Sequence, residues 1–274
     1  MKERVLTFGP GDILVGVLTE PDERLPGSPV VIMSNVGLNH RVGPSRAWVE
    51  LARRLAKHGL ASFRFDVSGL GDSAPREDLL SDIERSILDL QDALDKLATE
   101  GMSRFVLVSW CSGTDNAHPV AVRDARVIGA VFLDGYAYVT PTSQVYAKVY
   151  RWIHPARWRR ALRRKFPRAF GLELDRHAVG WVDEIFNREY PSLRQFEADV
   201  ATMVDRGARL LFVYSHQTTY AYRRQFWDWL ERKDWSGRIA VEYYPKADHT
   251  FRYRTERDVM MNRVTSFILA LSGR

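Results

Sequence analysis

Short apolar runs rich in Val, Ile, Leu and Phe recur along the chain, bounded by Gly, Pro, Asn or Asp. Runs of this length and composition predict strands. They fall at Val5–Phe8, Leu14–Glu20, Val30–Ser34, Ala61–Asp66, Phe105–Trp110, Val127–Leu133, Arg209–Tyr214 and Ile239–Tyr244. The first two read as a hairpin turning at Gly9-Pro10-Gly11-Asp12. From the third onward the strands alternate with helical patterns. Ser45–His58 places Trp48, Leu51 and Leu55 on one face, and Leu80–Leu97 repeats Ile83, Ile87, Leu90, Leu94 and Leu97 at helical spacing. Thr219–Leu230 and Arg257–Leu271 supply later helices. Strands apolar on both faces and joined by helices predict an α/β fold with a mostly parallel eight-stranded sheet, covered by helices on both sides.

One interval breaks the rhythm. The 75 residues between Leu133 and Arg209 contain no convincing strand. They read as helices over Thr142–Ile153, Pro155–Lys165, His177–Phe186 and Leu193–Asp205. The expectation is a core of residues 1–135 and 207–274, with a helical cap of 136–206 inserted between the sixth and seventh strands. From Lys148 to Arg168 the cap carries nine basic residues and no acidic one, more than the whole net charge of +6. Arg159, Arg160, Arg163 and Arg164 are therefore candidates for binding an acidic partner: an acyl carrier protein, a CoA phosphate or an anionic lipid surface. The plainer alternative is a solvated helix face with arginine stems packed on Trp152, Trp158 and Phe166. No recognition motif accompanies the charge, so nucleic acid is not expected.

Composition narrows the class without choosing a function. With 274 residues, 45% of them apolar and 27% charged, the chain reads as an ordinary globular protein able to build its own core. No run approaches a membrane span, and the N-terminus lacks the apolar stretch of a secretory signal. A single cysteine excludes an internal disulfide and a multi-cysteine zinc site. A reducing, cytoplasmic setting is the expectation, and no metal, flavin or nucleotide cofactor is implied.

The chemistry gathers at one turn. Strand Phe105–Trp110 runs into Cys111-Ser112-Gly113-Thr114 and then a helical pattern. A nucleophile on a sharp strand-to-helix turn needs small residues two positions before and after it, because neighbouring backbone passes close. Centring on Cys111 puts Ser109 and Gly113 there. Centring on Ser112 puts Trp110 and Thr114 there, and an indole does not fit. Cys111 is the candidate nucleophile, and its place at a helix N-terminus favours a thiolate. A buried cysteine acting as a small hydrophobe is the bland alternative.

A base is then required. His249, on the loop after the last strand, is the best placed of the seven histidines. The acid that orients it is harder to find, because the segment Ser215-His216-Gln217-Thr218-Thr219 after the penultimate strand has no carboxylate. Asp134, at the end of the sixth strand and followed by Gly135, is preferred; Asp248 and Asp115 are the other acids in range. Ser112 supplies one oxyanion donor, and the loop after the third strand supplies the second, with Val36 favoured. His40, Trp110, Tyr136 and Tyr138 are named as candidate substrate-pocket residues.

Four segments together resemble the α/β-hydrolase superfamily across nearly the whole chain. They are Ser34-Asn-Val-Gly37, Asp66-Val-Ser-Gly-Leu-Gly-Asp-Ser73, Ser109-Trp-Cys-Ser-Gly113 and Ala247-Asp-His249. The run from Asn35 to Gly43, with Cys-Ser-Gly at the turn, is similar to bacterial hydrolases associated with exopolysaccharide export and exosortase systems. The resemblance implies the α/β-hydrolase fold and acyl chemistry on a small-molecule or carrier-bound substrate. It also places a lid where the cap is expected. Three features depart from the family: Cys replaces the commoner Ser nucleophile, as in dienelactone hydrolases; Ser109 replaces Gly; and the acid after the seventh strand is absent. Acyl transfer through Cys111 to water leads, making the chain a hydrolase or thioesterase. Transfer to an alcohol or amine is the first alternative, and a non-catalytic binding role the second. A dehalogenase-like reaction would need Asp at the turn.

Overall fold

The computed structural model describes residues 1–146, 188–216, 220–230, 235 and 237–272. Eight strands form one sheet: β1 (Lys2–Phe8), β2 (Leu14–Glu20), β3 (Val30–Met33), β4 (Ser62–Phe65), β5 (Phe105–Trp110), β6 (Val127–Leu133), β7 (Arg209–Ser215) and β8 (Ile239–Tyr244). Their order is β1-β2-β4-β3-β5-β6-β7-β8. The β1–β2 and β2–β4 pairings are antiparallel, and the rest are parallel. The expected hairpin forms, with Gly11 and Asp12 both at positive φ in its turn.

Alternation along each central strand builds two cores. Ile32, Phe105 and Leu107 face one side, and Val31, Met33, Val106, Val108 and Trp110 face the other. The first side is covered by α2 (Asp82–Thr99), α3 (Gly113–Arg123) and α4 (Leu193–Asp205), through residues such as Leu94, Val120 and Phe196. The second is covered by α1 (Ala47–Ala56) and, beyond the short α5 (Gln225–Trp229), by α6 (Arg254–Leu269), through Leu51, Leu55, Met261 and Val264. Each fully buried aliphatic side chain of this kind contributes about 1.5–3 kcal/mol.

Element ends follow local chemistry more closely than hydrophobic spacing. The first helix begins at Ala47, because Ser45 and Arg46 take positive φ in a tight turn before it. Helix α2 starts after Ser81, whose hydroxyl caps the Glu84 N–H while the Glu84 carboxylate accepts from the Ser81 N–H. The helix expected over Thr219–Leu230 is reduced, among the described residues, to Gln225–Trp229; the Ala221 N–H bonds to the Gln225 side chain instead of entering a helical ladder. Of the interval expected as a cap, Leu193–Asp205 packs against α3 and β7 with Phe196, Val200 and Met203 in the main core. The helices expected at Pro155–Lys165 and His177–Phe186, and Arg159, Arg160, Arg163 and Arg164, lie outside the described residues. Among the described residues no helix is long and apolar enough to cross a membrane.

Candidate active site

The carboxyl ends of β3, β5, β6 and β8 open on the same edge of the sheet, where α/β folds place their ligands. Cys111 stands at the end of β5 with φ 52°, a left-handed conformation that costs a non-glycine residue energy. The turn is held by the Cys111 N–H to Leu133 O and the Thr114 N–H to Cys111 O, at 2.8 and 3.0 Å. Ser112 has φ −62° and begins the helix. The strained residue of the elbow is therefore Cys111.

The turn also explains its small neighbours. A Cβ on Gly113 would lie 2.7 Å from Asn35 O, backbone that cannot give way. The Ser109 side chain, where the family has Gly, is accommodated: its Oγ lies 3.3 Å from Thr114 Oγ1 and 3.5 Å from Val131 O.

His249 Nδ1 lies 3.0 Å from Asp134 Oδ2. Because β7 separates β6 from β8, Asp134 must reach across the end of β7. It does so with φ 45°, with its N–H bonded to Val213 O and its Oδ1 accepting from the Ser215 N–H at 2.6 Å. The Asp134 carboxylate is fully buried. The other two acids are engaged elsewhere. Asp248 accepts from the Thr250 and Arg252 N–H groups and shapes the histidine loop, while Asp115 pairs with Arg188.

Burial pushes the Cys111 thiol pKa up, but a hydrogen bond and charge from His249, the charge of Arg188 and the Ser112 N–H outweigh it and hold the thiol below its ordinary range. Burial likewise works against the imidazolium, yet Asp134 and Cys111 together push His249 up to about 10. Both shifts point the same way: the pair favours thiolate and imidazolium over two neutral groups.

A cavity of about 500 Å³ opens over the cysteine, lined by Val36, Gly37, Leu38, Cys111, Ser112 and His249 among others. The loop after β3 is therefore beside Cys111. It is held from two sides. The Gly37 N–H donates to Ser112 Oγ at 2.8 Å, tying it to the elbow. Asn35 donates to Asn39 O and to Asp66, and accepts from the Val67 N–H. Asp66, fully buried, also takes the Arg41 backbone N–H, the Arg41 guanidinium and the Asp72 N–H. His40, Asp66 and Asp72 bring possible ligand atoms within 4.8 Å of one another. The Arg41 guanidinium contacts both carboxylates and supplies the positive charge there itself.

Two of the four expected pocket residues, His40 and Tyr138, are placed differently. His40 does not line the cavities beside Cys111; its Nε2 lies 2.9 Å from Arg41 Nη1 and 3.5 Å from Asp66 Oδ2. Trp110 borders the cleft, but its ring is buried against Trp48 and Phe251 and its N–H donates to His249 O at 3.0 Å. It anchors the histidine loop. Tyr138, half-buried at the edge of the core, packs on Phe196 and Trp229 and donates to Pro191 O. Tyr136 does line a second cavity, of about 770 Å³, which shares Gly37, Leu38 and Ser112 with the first. Arg188 lines that cavity too and has no signal in the sequence, since it follows no motif and sits far along the chain from the turn it serves.

A family model described as "Alpha/beta hydrolase family" matches residues 25–270. Comparison with curated protein sequences finds no match. Solved structures with the same fold include a proline iminopeptidase from Mycobacterium smegmatis, at 17% identity and a TM-score of 0.60 over 99% of both chains. An esterase from Pyrococcus furiosus matches at 17% identity and 0.62, over 98% of this chain and 91% of that one. A dienelactone hydrolase from Anabaena variabilis matches at 13% identity and 0.59, over 98% and 97%. With its sheet order, its elbow and a family model spanning nearly its full length, the chain belongs to the alpha/beta hydrolase family.

Proposed function

We propose that the protein is an acyl hydrolase that works through an acyl-cysteine intermediate, with Cys111 as nucleophile, His249 as base and Asp134 as the group that orients the histidine. The observation that carries this reading is the conjunction at the elbow: Cys111 in left-handed backbone geometry, facing a histidine whose far nitrogen is held by a buried carboxylate. Asp134 on Nδ1 leaves Nε2 for the thiol. The thiolate attacks the carbonyl carbon of an ester or thioester, and the carbonyl oxygen gains the negative charge. The Ser112 and Val36 N–H groups are the donors we assign to that oxygen, one from each side of the cleft. The imidazolium then gives its proton to the departing alcohol or thiol. Water, activated by the neutral imidazole, releases the acid and restores the cysteine.

A thiolate already stabilised by His249 needs little help from the third residue, which suits an acid supplied from β6. The similar proteins named as an esterase, a peptidase and a dienelactone hydrolase all act at carbonyl carbon by their names, which agrees with the reaction type and leaves the substrate open. Thioesters suit a cysteine best, since the acyl-enzyme is itself a thioester. The basic run from Lys148 to Arg168 fits a carrier protein or CoA as the donor's handle. The Asn35–Gly43 run remains similar to hydrolases of exopolysaccharide export, a pointer to substrate class and not to mechanism.

The test is turnover of a panel of acyl thioesters, read as free thiol released, by wild type and Cys111→Ala. Turnover in wild type and its loss in the variant support the reading. Equal turnover in both overturns it. Added amines or alcohols that divert the acyl group from water would move the protein to the acyltransferases.

A further inference from the structure

The cavity of about 770 Å³ beside the catalytic cleft has walls of Leu38, Ile83, Ile87 and Pro119, and a buried ion pair set into them. Arg188 donates to both oxygens of Asp115, from Nε at 2.8 Å and Nη2 at 2.6 Å. Its guanidinium carbon lies 5.6 Å from the Tyr136 ring centre and 5.1 Å from that of Tyr190, within range for cation–π attraction. The side chain is 13% exposed. A guanidinium has five N–H donors in a rigid fork, and Asp115 takes one edge of it. Among the described residues no acceptor takes the Nη1 hydrogens.

We propose that Arg188 is a specificity-determining residue, whose Nη1 edge binds a carboxylate carried on the acyl chain of the substrate held at Cys111. This subsite rests on the acyl-cysteine reading for its biological meaning. Three observations support it. Both Arg188 and Asp115 line a cavity that shares Gly37, Leu38 and Ser112 with the catalytic cleft. The arginine is near enough for its charge to act on the Cys111 thiol. Leu38, Ile83, Ile87 and Pro119 give the cavity an apolar stretch that suits a short methylene chain, and among the described residues Arg188 is the cation in its lining. Asp115 is then a positioning residue: it fixes the fork, holds the charge neutral while the site is empty, and leaves one edge for the substrate. Among the described residues, neither of the other lining carboxylates bonds to that edge. Glu84 caps the start of α2, and Glu189 is exposed.

The test reads the subsite through Cys111 without requiring turnover. Alkylation by N-(2-carboxyethyl)maleimide is compared with alkylation by N-propylmaleimide, nearly equal in shape and differing by the carboxylate. The ratio of the two rates cancels changes in thiol basicity. It should exceed the ratio for glutathione in wild type and fall by about tenfold in Arg188→Gln, as expected for loss of a charge-assisted pair. Arg188→Gln leaves Asp115 unpaired and could fail to fold, so Asp115→Asn is the second variant. It keeps the arginine and an amide oxygen to accept from the fork, removes the charge that neutralises it, and should raise the ratio severalfold. A wild-type ratio equal to that of glutathione, or one that neither variant moves, overturns the subsite. Succinyl against butyryl thioester turnover completes the pair. A shifted maleimide ratio with no turnover of any donor keeps the subsite and rejects the acyl reading; succinyl and butyryl turnover at equal efficiency, with an unmoved ratio, rejects the subsite and keeps the acyl reading.

Discussion

Asp134 and His249 meet across the end of a strand that belongs to neither: Oδ2 and Nδ1 are 3.0 Å apart, with β7 between their own strands. The contact depends on Asp134 adopting positive φ and on the Ser215 N–H that steadies its other oxygen. Asp134→Asn keeps the shape and removes the charge that holds up the imidazolium. The expected result is a fall in kcat/KM of about 100-fold, within the usual range for acid–base groups. The histidine should also titrate well below its present value of about 10, readable by NMR of its ring protons. An unchanged histidine titration would contradict the role assigned to Asp134.

The pH dependence of Cys111 follows from the same pair. The thiol is held below its ordinary range by His249, so the thiolate persists at pH values where a free cysteine is protonated. Alkylation by iodoacetamide should therefore stay fast below the normal thiol range and fall only when acid protonates the thiolate. In His249→Gln the support is gone, and the midpoint should move upward. In the folded protein the raised His249 pKa is also a stability contribution, complete below pH about 6.5 and lost as the pH climbs through about 10. A midpoint that is the same in both proteins would show that the imidazole does not act on the thiol.

Much of this arrangement is legible in the sequence, and the reasons differ residue by residue. The strands announce themselves because their residues are apolar on both faces, and the elbow because close backbone demands small neighbours; Asn35 O, 2.7 Å from any Cβ at residue 113, is that demand made concrete. Asp134 could be singled out because the alternative segment has no carboxylate. His40 could not be placed, since the ion pair of Arg41 with Asp66, which draws it away from the cleft, joins segments distant in the chain. Trp110 and Tyr138 look alike in the sequence, and only packing shows that the first borders the cleft and the second does not. Arg188 carries no local signature at all.

Ser112 has a role beyond its backbone. Its hydroxyl accepts from the Gly37 N–H, fastening the loop after β3 to the elbow. Ser112→Ala should cost about 1 kcal/mol of stability, the usual worth of such a bond. It should lower kcat severalfold while leaving iodoacetamide alkylation of Cys111 near its wild-type rate. Loss of alkylation as well would show that the bond shapes the nucleophile and not the loop.

Asp66 is the other fastening. It is buried and gathers N–H groups from Asn35, Arg41 and Asp72. Arg41 keeps Asp72, but Asp66→Ala leaves the Asn35, Arg41 and Asp72 N–H groups without their acceptor, at about 1–3 kcal/mol for each group left unsatisfied. Thermal unfolding should fall by roughly 10 °C, at about 2–4 °C per kcal/mol for a chain of this size. A melting temperature within a degree or two of wild type would contradict the anchoring role.

The central claim is that Cys111 carries the acyl group. Intact-protein mass spectrometry after rapid mixing with an acyl thioester tests it most directly, beside Cys111→Ala. The account predicts one acyl group per chain, mapped to Cys111 and decaying in water. It would be contradicted by an adduct that persists in Cys111→Ala, or by the absence of any adduct from substrates the protein turns over while Cys111 can still be alkylated.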